Sequence, residues 1–440
     1  MNSESIFCVR LVGVIFLLFS SVALAKSQAS SSLASVSIDL SADSEVGLEI
    51  EARTPRGSWA QRGSEAAALL ISVDGVYNQD LLLWAGDEFF RYRVLLGRLA
   101  AGKHNISVAL NPSRSAPKTK LAEVKDLRAL PFLTGTSDDD SFAIAHAPFL
   151  YARANTIDRF TDIPLLMYYE ILQQPPTDKI IRYTAIFTNE DGGTQTAALM
   201  ARWGRATDIE WVFELRLRDG KIVEETFQGV EHETKVFSGS RVNGSHPILA
   251  TASDNNNFSD LACSAVRFAP LPSRAQLENA TRESTMDPYP QAYRAMTDEL
   301  TREKRIDGTR RDMNTIADPR EYVYLEGSSE QIGAAIAFEV KVTGRTDTFS
   351  SDLGIDRLRI DRSGNYRTAI RLPRDVTPNM VERVTARCYA TDAVVETRSC
   401  KNLRLLRVLM LGQTFVPREI PLQIQPPASL SPGDMKVFSR

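Results

Sequence analysis

The chain has 440 residues, 43% of them hydrophobic and 24% charged, with a formal net charge of −3. That length accommodates two or three domains with separate cores, and the composition is that of a folded globular chain. The 52 Lys and Arg nearly balance the 55 Asp and Glu and form no basic tail, which excludes an electrostatically driven nucleic-acid partner.

Arg10 precedes the apolar run Leu11–Leu24, and Ala23-Leu24-Ala25 is a small-residue cleavage signal. A signal peptide is therefore predicted over 1–25, cut after Ala25, with the product secreted or periplasmic. No second apolar run is long enough to span a bilayer, so the mature chain is expected to carry no transmembrane segment. Residues 26–35 are rich in Ser and Ala and read as unstructured.

An N-terminal β-sandwich is predicted over 36–117. Val36–Leu40 alternates, Ala67–Val73 is an apolar strand, and Asp74-Gly75 is a turn. Arg91–Leu96 and His104–Leu110 are further strands. Residues 118–140 read as a connector ending in Asp138-Asp139-Asp140. A central β-sandwich follows over 141–285, with strands at Leu165–Leu172, Ile180–Asn189, Ile209–Leu217 and Lys221–Phe227. Asp191-Gly192-Gly193 punctuates them, and Asp219-Gly220 between two alternating runs is the strongest hairpin signal. Leu199–Trp203 fits a short helix or a loop.

Residues 286–319 form a helical connector. Pro290 suits a first turn, Tyr293, Met296 and Leu300 share one helical face, and Gly308 is the expected stop. A third β domain covers 320–425, with strands at Glu321–Leu325, Gly333–Thr343, Ile355–Asp361, Tyr366–Leu372, Val381–Cys388 and Leu403–Leu409, and 426–440 reads as a tail. Export permits disulfides, and Cys388 and Cys400 flank a strand–turn–strand segment that a bridge would close. Cys263 is then left over and reads as a small buried residue. The fold class is mainly β: serial antiparallel β-sandwich domains with one or a few connecting helices.

The segment Gly204–Val212, G-R-A-T-D-I-E-W-V, carries the sharpest chemistry. On a strand, Asp208 and Glu210 face the same way, and two such carboxylates repel unless a cation lies between them. A divalent metal would satisfy the pair, and so would Arg205 or Arg202. His146, His232 and His246, three of the four histidines, fall in the same predicted domain. With Asp208 and Glu210 they form a candidate metal set: calcium, magnesium or manganese for the carboxylates, zinc less favoured. Trp203, Arg205, Trp211, Asn255 and Asn257 are candidate ligand-binding residues, the two asparagines within the Asp254–Asn257 polar cluster. No linear catalytic signature is present.

The order Ala147-Pro148, Gly204–Val212, Ser245-His246-Pro247 resembles the secreted β-sandwich superfamily of necrosis-inducing and vacuolar-sorting-associated proteins. That family's H-x-D-W-E-like strand places its aspartate and glutamate on Asp208 and Glu210. Its two histidines fall on Arg205 and Thr207 and its tryptophan on Ile209, which removes imidazoles from the near edge of the site. Necrosis-inducing members bind a divalent cation and a sphingolipid sugar headgroup. The resemblance covers residues 141–265 and implies a central sandwich with a cation site.

Two kinds of function follow. A secreted binding or envelope structural protein would present loops to an extracellular glycan or an envelope component. A polysaccharide hydrolase or lyase would need a partner for Asp208 or Glu210, such as Glu170 or Asp191, with Tyr183 or His232 as a lyase base. The i, i+2 spacing of Asp208 and Glu210 is too short for an inverting pair.

Overall fold

The computed structural model describes residues 32–133, 138–153, 160–174, 178–190, 194–261, 264–310, 312–423 and 425–440. The predicted signal peptide, Asp191-Gly192-Gly193 and Cys263 lie outside the described residues. The architecture is mainly β, built from several antiparallel sheets with a few short helices. No helix among the described residues is long and apolar enough to cross a membrane. The chain divides into two compact units. One comprises the chain up to Ser58, Arg62–Ala185 and Glu210–Ser273; the other comprises Trp59–Gln61, Ile186–Ile209 and Arg274–Arg440.

The first unit opens with β1 (Ser32–Leu40), β2 (Ser44–Arg53), β3 (Ala68–Val73), β4 (Val76–Leu82), β5 (Phe90–Leu99), β6 (Gly102–Leu110) and β7 (Glu123–Leu133). These form a four-stranded sheet, β1-β6-β3-β4, and a three-stranded sheet, β5-β2-β7. Asp74 and Gly75 both hold positive φ, 52° and 78°, as the tight turn joining β3 to β4 requires. The predicted connector 118–140 contains an eleven-residue strand, β7, which pairs with β2 so that Leu127 faces Ile50. Its apolar residues do not alternate, so they give no strand period locally, and Pro131 reads as a breaker. At the edge of the sheet, a proline is tolerated. Asp138 ends the segment as the N-cap of α1 (Asp139–Ala145), accepting from Ser141 N.

The unit continues with β8 (Phe149–Tyr151), β9 (Pro164–Gln174), β10 (Asp178–Phe187), β11 (Asp208–Arg218), β12 (Lys221–Gln228), β13 (Thr234–Val236), β14 (Arg241–Val242), β15 (His246–Thr251), β16 (Phe258–Ser259), β17 (Arg267–Phe268) and β18 (Ser273–Arg274). A six-stranded sheet runs β13-β12-β11-β10-β9-β18, and β8 joins a smaller sheet between β15 and β17. Asp219 and Gly220, at φ 51° and 74°, make the predicted hairpin from β11 to β12.

In the second unit, Leu199–Trp203 belongs to helix α2 (Thr196–Trp203), and the connector helix is α3 (Pro290–Arg302). Helix α3 ends before Gly308. Lys304 takes the left-handed position at φ 61°, while Arg305 N donates to Leu300 O and Lys304 N to Thr301 O. This Schellman-type closure replaces the glycine stop. The β strands are β19 (Tyr322–Ile332), β20 (Ala334–Val342), β21 (Thr348–Ser350), β22 (Gly364–Arg371), β23 (Val381–Ala390), β24 (Ser399–Leu411), β25 (Pro417–Glu419), β26 (Ala428–Leu430) and β27 (Met435–Ser439). One sheet is β22-β19-β24-β25 with β26 on β24, and the other is β21-β20-β23-β27. Their inner faces share one core, in which Val323, Leu325, Ile370 and Val408 pack with Ile336, Phe338, Val340 and Val384.

Two expectations for this unit change. Ile355–Asp361 forms no strand: a single turn of 3-10 helix covers Asp356–Leu358, and Ile360 makes one isolated bridge to Ile336. Residues 426–440 are no loose tail, because β26 and β27 complete the two sheets. The Cys388–Cys400 disulfide forms as expected, with a Cα–Cα distance of 6.1 Å and both residues buried.

Candidate functional site

In the first unit, four polar side chains from three segments converge on one imidazole, that of His232. Glu210 comes from the start of β11 and Gln228 from the end of β12. After Gln228 the chain turns through Val230–His232, where Glu231 and His232 both hold left-handed backbone, at φ 60° and 61°. Consecutive non-glycine residues in that region are costly and persist where the surroundings enforce them. Asn255 and Asn257 come from the loop before β16, closed by Ala252 N donating to Asn257 O at 2.7 Å.

Gln228 Nε2 donates to Glu210 Oε2 and lies against His232 Nδ1. The Asn255 amide is 2.9 Å from His232 Nε2, and Asn257 Nδ2 is 3.4 Å from Nδ1. Nδ1 thus receives amide N–H groups, and the ring proton belongs on Nε2, where the Asn255 amide accepts it when turned oxygen-first. Glu210 Oε2 is 3.6 Å from Nδ1, with the carboxylate side chain 11% exposed and the imidazole 54% exposed. Gln228 is buried, and its Oε1 has no hydrogen-bond partner among the described residues. The result is a buried carboxylate and an oriented amide beneath a half-exposed imidazole, a set able to donate and accept hydrogen bonds at one surface point.

Asp208 is drawn elsewhere. It is buried in the second unit, with Arg205 Nη1 3.9 Å from its Oδ1. Arg205 also donates to Thr207 O and has its Nε 3.6 Å from Glu283. Arg282 lies 3.3 Å from the same Glu283 oxygen. Burial acts to raise the Glu283 carboxyl, but Arg282, Arg205, Arg367 and Arg362 outweigh it and hold the group below the ordinary carboxylate value. Further into this unit, Arg367 is wholly buried between β22 and β19. It donates to Glu326 at 2.9 Å, to Tyr293 Oη at 2.6 Å and to both oxygens of Asp287 at 3.1 Å. Gly204, the left-handed C-cap of α2, is required here, because a Cβ would stand 2.7 Å from Arg367 Cγ. The structure therefore answers the repulsion expected between Asp208 and Glu210 with separate partners: arginine for Asp208, an amide and an imidazole for Glu210.

The remaining candidates do not join the cluster. His246 is fully buried, with Nδ1 2.9 Å from Ala147 O and Nε2 3.0 Å from Glu45 Oε2, so both ring nitrogens are engaged. His146 stacks on Phe142 and bonds its carbonyl through Nδ1. Burial holds its imidazole below the ordinary histidine value despite that carbonyl bond, which favours the neutral ring. Trp203, in the second unit, lies beneath the guanidinium groups of Arg202 and Arg362, each 5.3 Å from its ring centre. Trp211 follows Glu210 on β11 and so points to the opposite sheet face. Among the described residues, no group of three or more His, Cys, Asp or Glu side chains is arranged to hold a metal ion. Gln228, Glu283 and Arg367 are absent from the sequence-based site. Gln228 stands four residues before His232 at the end of a predicted strand, a local signal that was available; the other two depend on distant pairing.

No family model matches the chain, and no curated protein does. Among solved structures, a ruminal GH26 endo-beta-1,4-mannanase is 12% identical with a TM-score of 0.17, and the match spans 28% of this chain and 28% of that one. A two-domain structure of Extended-Synaptotagmin 2 is 10% identical with a TM-score of 0.11, over 97% of this chain and 98% of that one. At these scores neither comparison assigns a shared fold.

Proposed function

We propose that this chain is an exported binding protein, and that the Glu210–Gln228–His232–Asn255–Asn257 cluster takes a hydroxyl-rich ligand of the carbohydrate class, such as an extracellular glycan or envelope component. The observation that supports this reading is the convergence of amide, imidazole and carboxylate groups on a half-exposed ring held by two left-handed residues. Paired donors and acceptors of this kind suit vicinal hydroxyls, and a strained backbone is a recurrent mark of a site kept for use. A divalent cation fits the same cluster better than the Asp208–Glu210 pair. With its amide turned over, Gln228 would present Oε1 in place of Nε2 to the point between Glu210 Oε2 and His232 Nδ1, giving an ion a carboxylate, an amide oxygen and an imidazole nitrogen. Oxygen-rich donors with a single imidazole favour calcium, magnesium or manganese over zinc.

The test is glycan-array screening of the purified chain, followed by calorimetry with the best oligosaccharide, with and without each cation. Loss of binding in His232→Ala and Asn255→Ala, with folding retained, is the expected result. Binding unchanged in both variants would remove the cluster from the function. Cleavage of the oligosaccharide during titration would instead favour the hydrolase or lyase alternative.

A further inference from the structure

The second unit holds a cavity of about 330 Å³ that belongs to none of the residues discussed above as a site. Its wall is apolar, with Met200 from α2, Met313, Ile316 and Ile355. Volumes of this size fall at the small end of ligand sites, which are typically apolar pockets with a few placed polar groups. Arg310, Asp312, Tyr322 and Ser351 contribute polar lining, with Asp312 Oδ1 already accepting from the backbone N–H groups of Asn314 and Thr315, and two further groups are placed to meet a ligand. Thr315 lines the cavity, is 8% exposed, and its hydroxyl has no hydrogen-bond partner among the described residues. A buried hydroxyl without a partner is costly, and native structures rarely leave one so unless something else satisfies it. Arg371, on β22, also lines the cavity. It donates to Gly308 O and makes no ion pair among the described residues. Leu353 also lines the cavity, half-exposed and in left-handed backbone at φ 52°, a conformation that disfavours leucine.

We infer that this cavity is a second binding site, for a small amphiphilic carboxylate whose apolar body lies between the two methionines and the two isoleucines and whose carboxylate meets Arg371 and the Thr315 hydroxyl. Methionine walls adapt to chains of varied shape, and a guanidinium without a carboxylate partner supplies charge-assisted bonds to an anionic head. The site is independent of the carbohydrate reading, since it shares no residue with the His232 cluster.

The probe is octanoate, titrated by calorimetry into the full chain, with octanol as the neutral control. Octanoate is expected to bind at one equivalent and octanol at least about tenfold more weakly, the loss of one charged hydrogen-bonding partner. Thr315→Val is expected to weaken octanoate about tenfold while raising the melting temperature without ligand, because it removes a buried hydroxyl that lacks a partner. Ala201→Leu, which fills the cavity, is expected to abolish binding. Absence of octanoate binding overturns the proposal, as does equal affinity for octanol. Unchanged affinity in Thr315→Val also overturns it, and this near-isosteric variant carries the test should Ala201→Leu fail to fold.

Discussion

Asp208 and Glu210 stand two residues apart on β11, yet one belongs to a buried ion network and the other to a half-exposed polar cluster. Around Asp208, Glu283 and Glu326, arginines neutralise each carboxylate, and the side chains of Arg205, Arg367 and Glu283 are almost wholly out of solvent. Around Glu210 the partners are an amide and an imidazole, with the ring open to solvent. Buried charges whose partners are all protein groups hold a fold in register, whereas a half-exposed imidazole held by amide side chains is a polar group that a ligand can reach from solvent. The two carboxylates differ in partner chemistry and exposure, where the residue types alone look alike.

The sharpest way to break this contrast is to remove Arg367. Arg367→Ala removes the nearest counter-charge of Glu326 and leaves Asp287 to Arg407 alone, and it is expected to cost about 3–5 kcal/mol of unfolding free energy, measured by denaturant titration. A loss below about 1 kcal/mol would place the network among decorative surface pairs.

A second test concerns Asp298 on α3, an acid that its surroundings do not neutralise. Burial raises its carboxyl from 3.8 to about 6, with Arg294 and Arg320 opposing and Asp318 adding to the shift. The folded state therefore holds this proton more tightly than the unfolded chain. Its contribution is fully present below pH 3.8 and is lost as pH rises through about 6. Asp298→Asn is expected to be more stable than the parent by about 2 kcal/mol at pH 7, discounted for partial exposure, with the gap closing towards pH 4. Parallel pH profiles for parent and variant would refute the assignment.

Smaller effects are expected at the cluster. Glu231→Gly relieves one left-handed residue and should raise stability by about 1 kcal/mol while loosening the turn that presents His232. A weaker glycan affinity with a higher melting temperature would sharpen the contrast; a stability loss would show that the Glu231 side chain holds the turn. Smallest of all is His232→Ala, where a half-exposed ring should change stability by no more than about 0.5 kcal/mol. A loss of several kcal/mol, read by thermal unfolding, would move His232 to the structural side.

The strands and hairpins were legible because their signal is local. Val36–Leu40 carries a period of two, Ile180–Asn189 a run rich in β-branched and aromatic residues, and the Asp219-Gly220 hairpin a positive-φ dipeptide, each within a few residues. β7 escaped that reading because its apolar residues do not alternate and Pro131 interrupts them, so it takes its identity from pairing with β2. Within the site, Glu210, His232, Asn255 and Asn257 stand out by residue type and proximity along the chain, but that they meet one another was not readable.

By itself, the sequence determined the mainly β class, the tight Asp-Gly turns and the Cys388–Cys400 bridge, each encoded by residues close together along the chain. Tertiary structure alone decided which polar groups meet. It paired His246 with Glu45, 201 residues away, joined Arg367 to Glu326 across 41 residues, and sent Asp208 and Glu210 to different partners. The physical reason is that strand periodicity follows from the backbone geometry of neighbouring residues. The fate of a carboxylate depends instead on which distant donor the completed fold brings within hydrogen-bond reach.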